Sequence, residues 1–376
     1  MTEGTTETTL EEIAKRRVPC LAAFLHPFRI VDGPESPKWH VSLDQVNSQT
    51  WDYAALHEIV GGIEVGLEAP YHLVVCRDGC LALPPIPDLR DERRAVEYFN
   101  RCLAAFLIGG IYCEAINLDG LDFGSIIDWK YVRVTGRAEA APNRFHNLIR
   151  LQGASSIEAI ALEEPRKLEL AELIKASDTG HKVLECIPSV GSEYLLRGAT
   201  GYARRDWGVA LANFWIVVEQ ITSHLWGHIV IQGAKNDQPV TGRIDNLEDN
   251  RTWTISVRHE VLFQRGALPL AAFEELNSAR KARNKLSHSG VHPDEGAARA
   301  ALNSVRELFK TVFPDIDIPF LKLNLDDHGL SDPFRPKDTG PINPKYWMEI
   351  KKLPGERELE KLEANARTEG KNTSSF

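Results

Sequence analysis

The sequence predicts an α+β protein with its strands in the first half of the chain and its long helices in the second. Residues 18–86 hold short runs of Val, Ile, Phe and Tyr punctuated by Pro and Gly, which is typical of strands and turns. From Glu163 onward, apolar residues recur every three or four positions, which is typical of helices. We therefore expect three parts: a mixed α/β domain at 1–165, a helical bundle at 166–313, and a Pro-rich, charged tail at 314–376.

Composition limits the classes of partner. The chain has 376 residues, 43% of them hydrophobic and 26% charged, as in ordinary soluble globular proteins. Its net charge of -9 argues against a protein that coats nucleic acid through bulk electrostatics, so any RNA contact must be local. No apolar run reaches transmembrane length, so no membrane partner is expected.

The cysteines predict a reducing compartment. Six cysteines are scattered through the first half, and Met1 to Thr9 contains no apolar segment of the kind found in secretory signals. Free thiols in the cytoplasm are the simplest interpretation. Cys76 and Cys80 lack a second Cys/His pair at zinc-finger spacing, and the Asp78-Gly79 pair between them instead predicts a hairpin turn. No metal or cofactor is expected.

Several elements are predicted in residues 1–165. Asp88 is expected to cap a buried helix that runs from Arg90 to Ala115. Five histidines are isolated from any second ligand or base, so each is interpreted as a surface or core residue: His26, His40, His57, His72 and His146. Strands are expected at 21–25, 28–31, 63–67, 71–76, 126–134 and near 146–151.

Helical periodicity organises residues 166–313. The strongest pattern runs from Trp207 to Leu225, where apolar residues alternate gaps of four and three. Residues 232–253 have the composition of a connector or an inserted loop. Helices are predicted at 168–176, 182–186, 188–203, 207–225, 273–286 and 294–313. Beyond Pro314, repeated prolines preclude a long helix until a charged stretch at 351–367.

The most informative stretch is residues 280–290, Arg-Lys-Ala-Arg-Asn-Lys-Leu-Ser-His-Ser-Gly, which closes the helix before Pro293. It places Arg283, Asn284 and His288 in the order Arg-Asn-x-x-x-His. An imidazole can transfer a proton near neutral pH, and a guanidinium can hold phosphate oxygens through two hydrogen bonds. These groups suit cleavage of RNA by its own 2′-hydroxyl.

This motif resembles that of the HEPN superfamily (higher eukaryotes and prokaryotes nucleotide-binding), in its Apea-like branch. Residues 210–220, Ala-Leu-Ala-Asn-Phe-Trp-Ile-Val-Val-Glu-Gln, are similar to the early core helix of such domains, in which an acidic residue often projects toward the site. The resemblance covers roughly residues 188–313. It implies an all-α HEPN bundle and a metal-independent endoribonuclease, with Arg283 and His288 catalytic, Asn284 orienting and Glu219 supporting.

The resemblance also implies a homodimer. On an ideal helix Arg283 and His288 lie about 140° apart, so they do not face each other unless the helix unwinds near Ser287. A two-fold dimer would bring two arginines and two histidines into one composite cleft. Superfamily members with a variable N-terminal domain serve as toxins or antiphage abortive-infection effectors. That implies a sensing or regulatory N-terminal domain, with an unidentified trigger or antitoxin.

Alternatives remain open. Arg280, Lys281 and Lys285 form either an RNA-binding patch or a solvated helix face. The helical domain could dimerise or bind a nucleotide without cutting, thereby regulating a partner. Alternatively, the N-terminal domain could carry the activity, although it shows no spaced acid, base, nucleophile or phosphate loop.

Overall fold

The computed structural model describes residues 17–237, 240–326, 355 and 358–365. The chain forms two compact units, Met1–Asp332 and Pro333–Phe376. In the second unit, residues 358–365 are helical and exposed, within the charged stretch at 351–367. The other predictions for residues 327–376 lie outside the described residues. None of the helices in the described part of the chain is long and apolar enough to cross a membrane.

Antiparallel pairing builds the main sheet of the first unit. Its strand order is β3-β4-β5-β1-β6-β7, and a second sheet pairs β2 with β8 in parallel. The main sheet curls until its outer strands meet, where Ile59 donates its backbone N–H to Lys130 O at 2.8 Å and Val132 donates to His57 O at 3.0 Å. The strands are β1 Arg17–Phe24, β2 Ile30–Asp32, β3 Ile59–Ile63, β4 Leu73–Cys76, β5 Cys80–Leu83, β6 Asp122–Ile127, β7 Tyr131–Val134 and β8 Lys167–Glu169.

The hairpin predicted at Cys76 and Cys80 is confirmed. The two residues end β4 and begin β5, and Gly79 takes a φ of +77° in the turn between them. Such a conformation is favourable for glycine because it has no Cβ. Alternation along β1 and β5 buries Cys20 and Cys80 within the curled sheet, while Leu21 and its neighbours on the other face join the main core.

Thirteen α-helices accompany the strands within residues 17–237 and 240–326. Four short 3-10 turns and one π-helical turn, Gly227–Ile231, connect them. The helices are α1 Leu43–Ser48, α2 Tyr53–Leu56, α3 Glu92–Ile108, α4 Ala141–Arg150, α5 Ser156–Ala159, α6 Leu170–Cys186, α7 Ser192–Ala203, α8 Trp207–Trp226, α9 Gln232–Asn236, α10 Arg243–Glu248, α11 Ile255–Gln264, α12 Leu270–Ser289 and α13 Glu295–Val312.

The predicted α+β fold class is confirmed, with helix boundaries that differ in places. Helix α3 begins after Asp91, whose side chain accepts a hydrogen bond from Arg94 N, whereas Asp88 lies in a 3-10 turn. The helix ends at Ile108, before Gly109. The helix at 207–225 is confirmed by α8, and residues 232–253 contain two short helices in the predicted connector.

The strand predicted near residues 146–151 is wrong, because this segment forms the second half of α4. Pro142 suits the first turn of a helix, where its missing N–H leaves no hydrogen bond unmade. Buried residues recur along α4 at helical spacing, including Asn143, His146 and Arg150. Because these side chains are polar, an apolar-residue count does not reveal the buried face of the helix.

One hydrophobic cluster runs from the sheet through the long helices. It contains Leu21 and Leu81 of the sheet, Phe106 of α3, Phe214 of α8 and Phe320, which follows α13. Helix α3 packs against both α6 and α7, so the core is continuous across residue 165. The boundary between residues 165 and 166 remains a prediction about domain organisation. The first residues of the predicted tail contribute Phe320 to this core.

Helices α3 and α6 approach through two glycines. A Cβ added at Gly180 would lie 2.0 Å from the Ala105 carbonyl oxygen, and one added at Gly109 would lie 2.3 Å from that of Ala176. Both contacts are with backbone, which cannot rotate away. Gly180 therefore permits the close packing of α6 on α3, and α6 is a single helix where the sequence predicted two shorter ones.

Substitution of Gly180 tests this contact. We expect Gly180→Ala to lower the free energy of unfolding by about 1–3 kcal/mol, measured by urea denaturation, because the methyl group forces α3 and α6 apart. Gly233→Ala is the matched control, since a Cβ there meets no atom within 4 Å. That control is expected to leave stability unchanged or to raise it by up to about 1 kcal/mol. Equal losses in both variants would contradict the close approach.

Candidate functional site

The predicted motif lies at the C-terminal end of α12. This helix begins after Pro269 and continues without interruption to Ser289. Gly290 ends it with a φ of 62°, and its backbone N–H bonds to Leu286 O, as expected of a left-handed C-cap. Buried Leu276 and Ala279 fix the earlier turns in the core. The last two turns, which carry the motif, continue this anchored helix and are partly open to solvent.

Arg283 and Asn284 contact each other. The Arg283 Nη1 atom donates to Asn284 Oδ1 at 3.4 Å, and both side chains are half-buried. His288 is exposed. Because α12 does not unwind near Ser287, Arg283 and His288 remain about 140° apart around the helix axis. One copy of the chain thus brings Arg283 and Asn284 together but leaves His288 on a different face.

The predicted cations divide between two faces of α12. Lys281 and Lys285 are exposed and line a groove of about 930 Å³ with His292 and Asp294. Arg280 is half-buried on the inner side, where its Nη2 donates to Asn277 Oδ1 at 3.5 Å. The groove therefore presents two exposed ammonium groups together with the carboxylates of Glu274 and Asp294, and Arg280 does not line it.

Glu219 lies on α8 and is half-buried. Its Oε1 accepts a hydrogen bond from Trp215 Nε1 at 2.6 Å. No ion pair joins Glu219 to Arg283 or His288 within the described part of the chain. The contact with Trp215 fixes the carboxylate in place, but it does not by itself make Glu219 a partner of the motif.

A buried histidine lies between α8, α11 and α12 and was not singled out from the sequence. His259 is 1% exposed, and its Nε2 lies 2.9 Å from Thr222 Oγ1. Burial, together with the charge of Arg280, lowers the pKa of His259 to about 4. The ring is therefore neutral at pH 7 and serves packing, against the edge of Trp215. No spacing in the sequence signals it.

A cluster of three buried polar residues, Asp78, His146 and Arg150, lies within the curled sheet. Arg150 donates from Nε to Asp78 Oδ2 at 2.6 Å and from Nη2 to Asp78 Oδ1 at 2.7 Å. His146 stacks on Phe24 with ring centroids 4.3 Å apart, and its Nδ1 lies 3.5 Å from Asp78 Oδ2. All three polar residues are at most 4% exposed. Sequence reasoning interpreted His146 as isolated because its partners lie far away in the chain.

Burial also raises the pKa of cysteine thiols in the core. All six cysteines are free, and only Cys186 among them is exposed. Desolvation raises the pKa of Cys20 and of Cys102 to about 12, so both remain protonated thiols at pH 7. Across the described residues, no group of three or more His, Cys, Asp or Glu side chains is arranged to hold a metal ion.

Comparison with known proteins leaves the family open. No family model matches the chain, and neither a curated protein nor a solved structure matches it. The resemblance to the HEPN superfamily depends on the sequence alone, above all on the residues of the motif.

Proposed function

We propose that this protein is an endoribonuclease that cuts RNA through attack of the 2′-hydroxyl on the adjacent phosphorus. One observation carries the proposal: Arg283, Asn284 and His288 occupy the partly exposed last turns of an uninterrupted, capped helix. Lys281 and Lys285 line an adjoining groove that can hold phosphates of the same strand. The local cations agree with a protein whose net charge is -9.

The reaction needs two proton transfers and one stabilised charge. A base removes the 2′-hydroxyl proton, the 2′-oxygen bonds to phosphorus, and the bond to the 5′-oxygen breaks as that oxygen receives a proton. The products are a 2′,3′-cyclic phosphate and a 5′-hydroxyl. His288 supplies a group that can give or take a proton near pH 7. Arg283 offers its planar guanidinium to the phosphate oxygens, and Asn284, which already contacts Arg283, orients it.

A composite site in a homodimer completes the arrangement. Within one copy Arg283 and His288 point in directions about 140° apart. Two-fold pairing of the α12 ends would let an arginine of one copy face a histidine of the other, with one imidazole as base and the second as acid. Glu219, which lies on α8, would then have a supporting role in this site.

We further propose a role as a toxin or antiphage effector, which the resemblance to the superfamily implies. An RNA-cutting protein of this type, located in the cytoplasm, would act as a toxin or an antiphage effector, with the sheet-containing half sensing a trigger. Expression of wild type and of His288→Ala, with and without phage challenge, tests this role. Toxicity or protection that His288→Ala abolishes is the expected result, and harmless expression of wild type under both conditions would contradict it.

A non-catalytic nucleotide-binding module is the second candidate. The groove favours it, because Lys281 and Lys285 are open to an anion while Arg283 and His288 do not converge in one copy. In this case the protein would regulate a partner, and RNA would bind without being cut.

Cleavage in EDTA distinguishes the two candidates. End-labelled single-stranded RNA and transfer RNA are incubated with the purified full-length protein, and the ends of the products are analysed. We expect cleavage that leaves 2′,3′-cyclic phosphate. If RNA binds and stays intact with every substrate, the binding module is supported and the nuclease proposal fails.

A further inference from the structure

A second pocket lies where the two edges of the curled sheet separate, far along the chain from the motif. The last hydrogen bond of the seam joins Val132 N to His57 O, and beyond it a cavity of about 520 Å³ opens between β7, α2 and the end of α4. This volume is in the range of small-molecule sites. We call it the seam pocket, and its polar lining comprises His57, Tyr131, Arg133, Thr135, Asn147 and Arg150.

The lining of the seam pocket is positively charged. It contains Arg133 and Arg150 but, among its described lining residues, no aspartate or glutamate. Arg150 is already paired with Asp78. Arg133 is exposed and makes no ion pair with any described residue, so its guanidinium is open to an anion. The free charge in this pocket is therefore that of Arg133.

Asn147 supplies an unmet hydrogen bond. The residue is 8% exposed, and its buried Oδ1 atom has no hydrogen-bond partner among the described residues. The Nδ2 atom lies 3.5 Å from Asp122 Oδ2, a carboxylate that also accepts from Thr135 Oγ1. Asp122 thus holds the amide in one orientation. Buried polar atoms are nearly always satisfied, so this unpaired acceptor, on a residue that lines the pocket, suits a ligand that donates N–H.

His57 lies at the side of the pocket, between strand β7 and helix α4. Its Nδ1 lies 3.3 Å from Val132 O and its Nε2 lies 3.4 Å from Arg150 O. Burial, and then the charge of Arg150, lowers the pKa of His57, so the ring is neutral and can donate to only one of these oxygens. The histidine therefore spans the seam between the strand and α4 and leaves anion binding to Arg133.

The remaining wall is apolar and aromatic. Ile127, Val134 and Leu151 line it with Tyr131, which is 39% exposed. Such a wall offers nothing to an inorganic anion but can cover a flat ring, because aromatic and aliphatic side chains pack against the face of a heterocycle. An occupant that combines an anionic group, a planar ring and an N–H donor would match all three features of this lining.

We propose that the seam pocket binds a nucleoside monophosphate, with the phosphate on Arg133, the base against Tyr131 and a base N–H donated to Asn147. The seam pocket is separate from the end of α12, so this binding proposal can be tested independently of the proposed nuclease. In the proposed effector it would be a place where the sheet-containing half detects a nucleotide.

Calorimetric titration of the full-length protein tests the proposal. The probes are the four ribonucleoside 5′-monophosphates, the corresponding nucleosides and inorganic phosphate. We expect at least one monophosphate to bind, and Arg133→Gln to weaken its binding by about tenfold or more, equivalent to about 1.4 kcal/mol. Tyr131→Leu is expected to weaken nucleotide binding as well.

Arg137→Gln is the matched control, because Arg137 is exposed four residues further along and does not line the pocket. It should bind as wild type does. Three results would overturn the proposal: no monophosphate binds, inorganic phosphate binds as tightly as the nucleotide, or Arg133→Gln and Arg137→Gln behave alike. The readout is binding alone, so failure of RNA cleavage does not affect it.

Discussion

Alanine in place of either Arg283 or His288 is expected to lower the rate constant of RNA cleavage by about 10²–10⁴-fold. Arg283→Ala removes the guanidinium that stabilises charge on the phosphorane, and His288→Ala removes a proton-transfer group. Arg283→Lys should restore only part of the activity, because an ammonium group lacks the planar pair of donors. Single-turnover cleavage of end-labelled RNA measures each effect.

Two controls match these substitutions in chemistry. Arg265→Ala removes an exposed arginine at the end of α11, and His40→Ala removes an exposed histidine in the N-terminal half. Both should cut RNA as wild type does. If Arg283→Ala and His288→Ala cut as fast as these controls, the motif is structural or regulatory.

Mixing the two inactive variants probes the composite site. A heterodimer of Arg283→Ala and His288→Ala retains one arginine and one histidine, on different copies. If the copies share one cleft, the mixture should cut faster than either variant alone. A mixture no more active than its components, at concentrations where heterodimers are shown to form, would rule out sharing of this kind.

Arg150→Met is expected to lower the free energy of unfolding by about 3–5 kcal/mol, because it leaves the Asp78 carboxylate buried without its partner. In the native protein Arg150 also donates from Nη1 to Val132 O at 3.0 Å, so the guanidinium joins strand β7 to the turn between β4 and β5. Urea denaturation at pH 7 measures the loss. Lys322→Met is the control, since its ion pair with Asp317 is 76% exposed on both sides and contributes at most about 1 kcal/mol.

The buried pair of Asp78 and Arg150 also predicts that the stability of the protein depends on pH. Burial alone would raise the pKa of Asp78, but the Arg150 charge and hydrogen bonds from His146 and Arg150 outweigh it and hold the pKa far below its ordinary value. A depressed folded pKa stabilises the protein above the unfolded pKa of about 4, and this stabilisation is lost as pH falls toward the folded value.

The stability gap between wild type and Arg150→Met should therefore narrow as pH falls from about 5 toward 2. The double variant Asp78→Leu with Arg150→Met should lose less stability than Arg150→Met alone, because no unpaired charge remains. A double variant that loses the sum of both single losses would show that the two residues act independently.

Local sequence determined much of the secondary structure. The Asp78-Gly79 turn, the apolar stripe of α8 and the Gly290 cap each depend on neighbours in the chain, so spacing alone predicts them. The motif at the end of α12 was predicted in the same way, since helical periodicity and a stop signal surround it. The strand predicted near 146–151 failed because α4 buries polar side chains whose partners are distant in sequence.

Tertiary structure decided which distant residues meet and where the pockets form. Only the folded chain brings Asp78 to Arg150 across 72 residues, and only the closing of the sheet creates the seam pocket beside Asn147. Folding also turned Arg280 inward while leaving Lys281 and Lys285 in a groove, a division that residue types do not show. Sequence periodicity reports which neighbours share a face, whereas contacts between distant segments arise from packing, and those contacts set burial, charge pairing and the shape of each pocket.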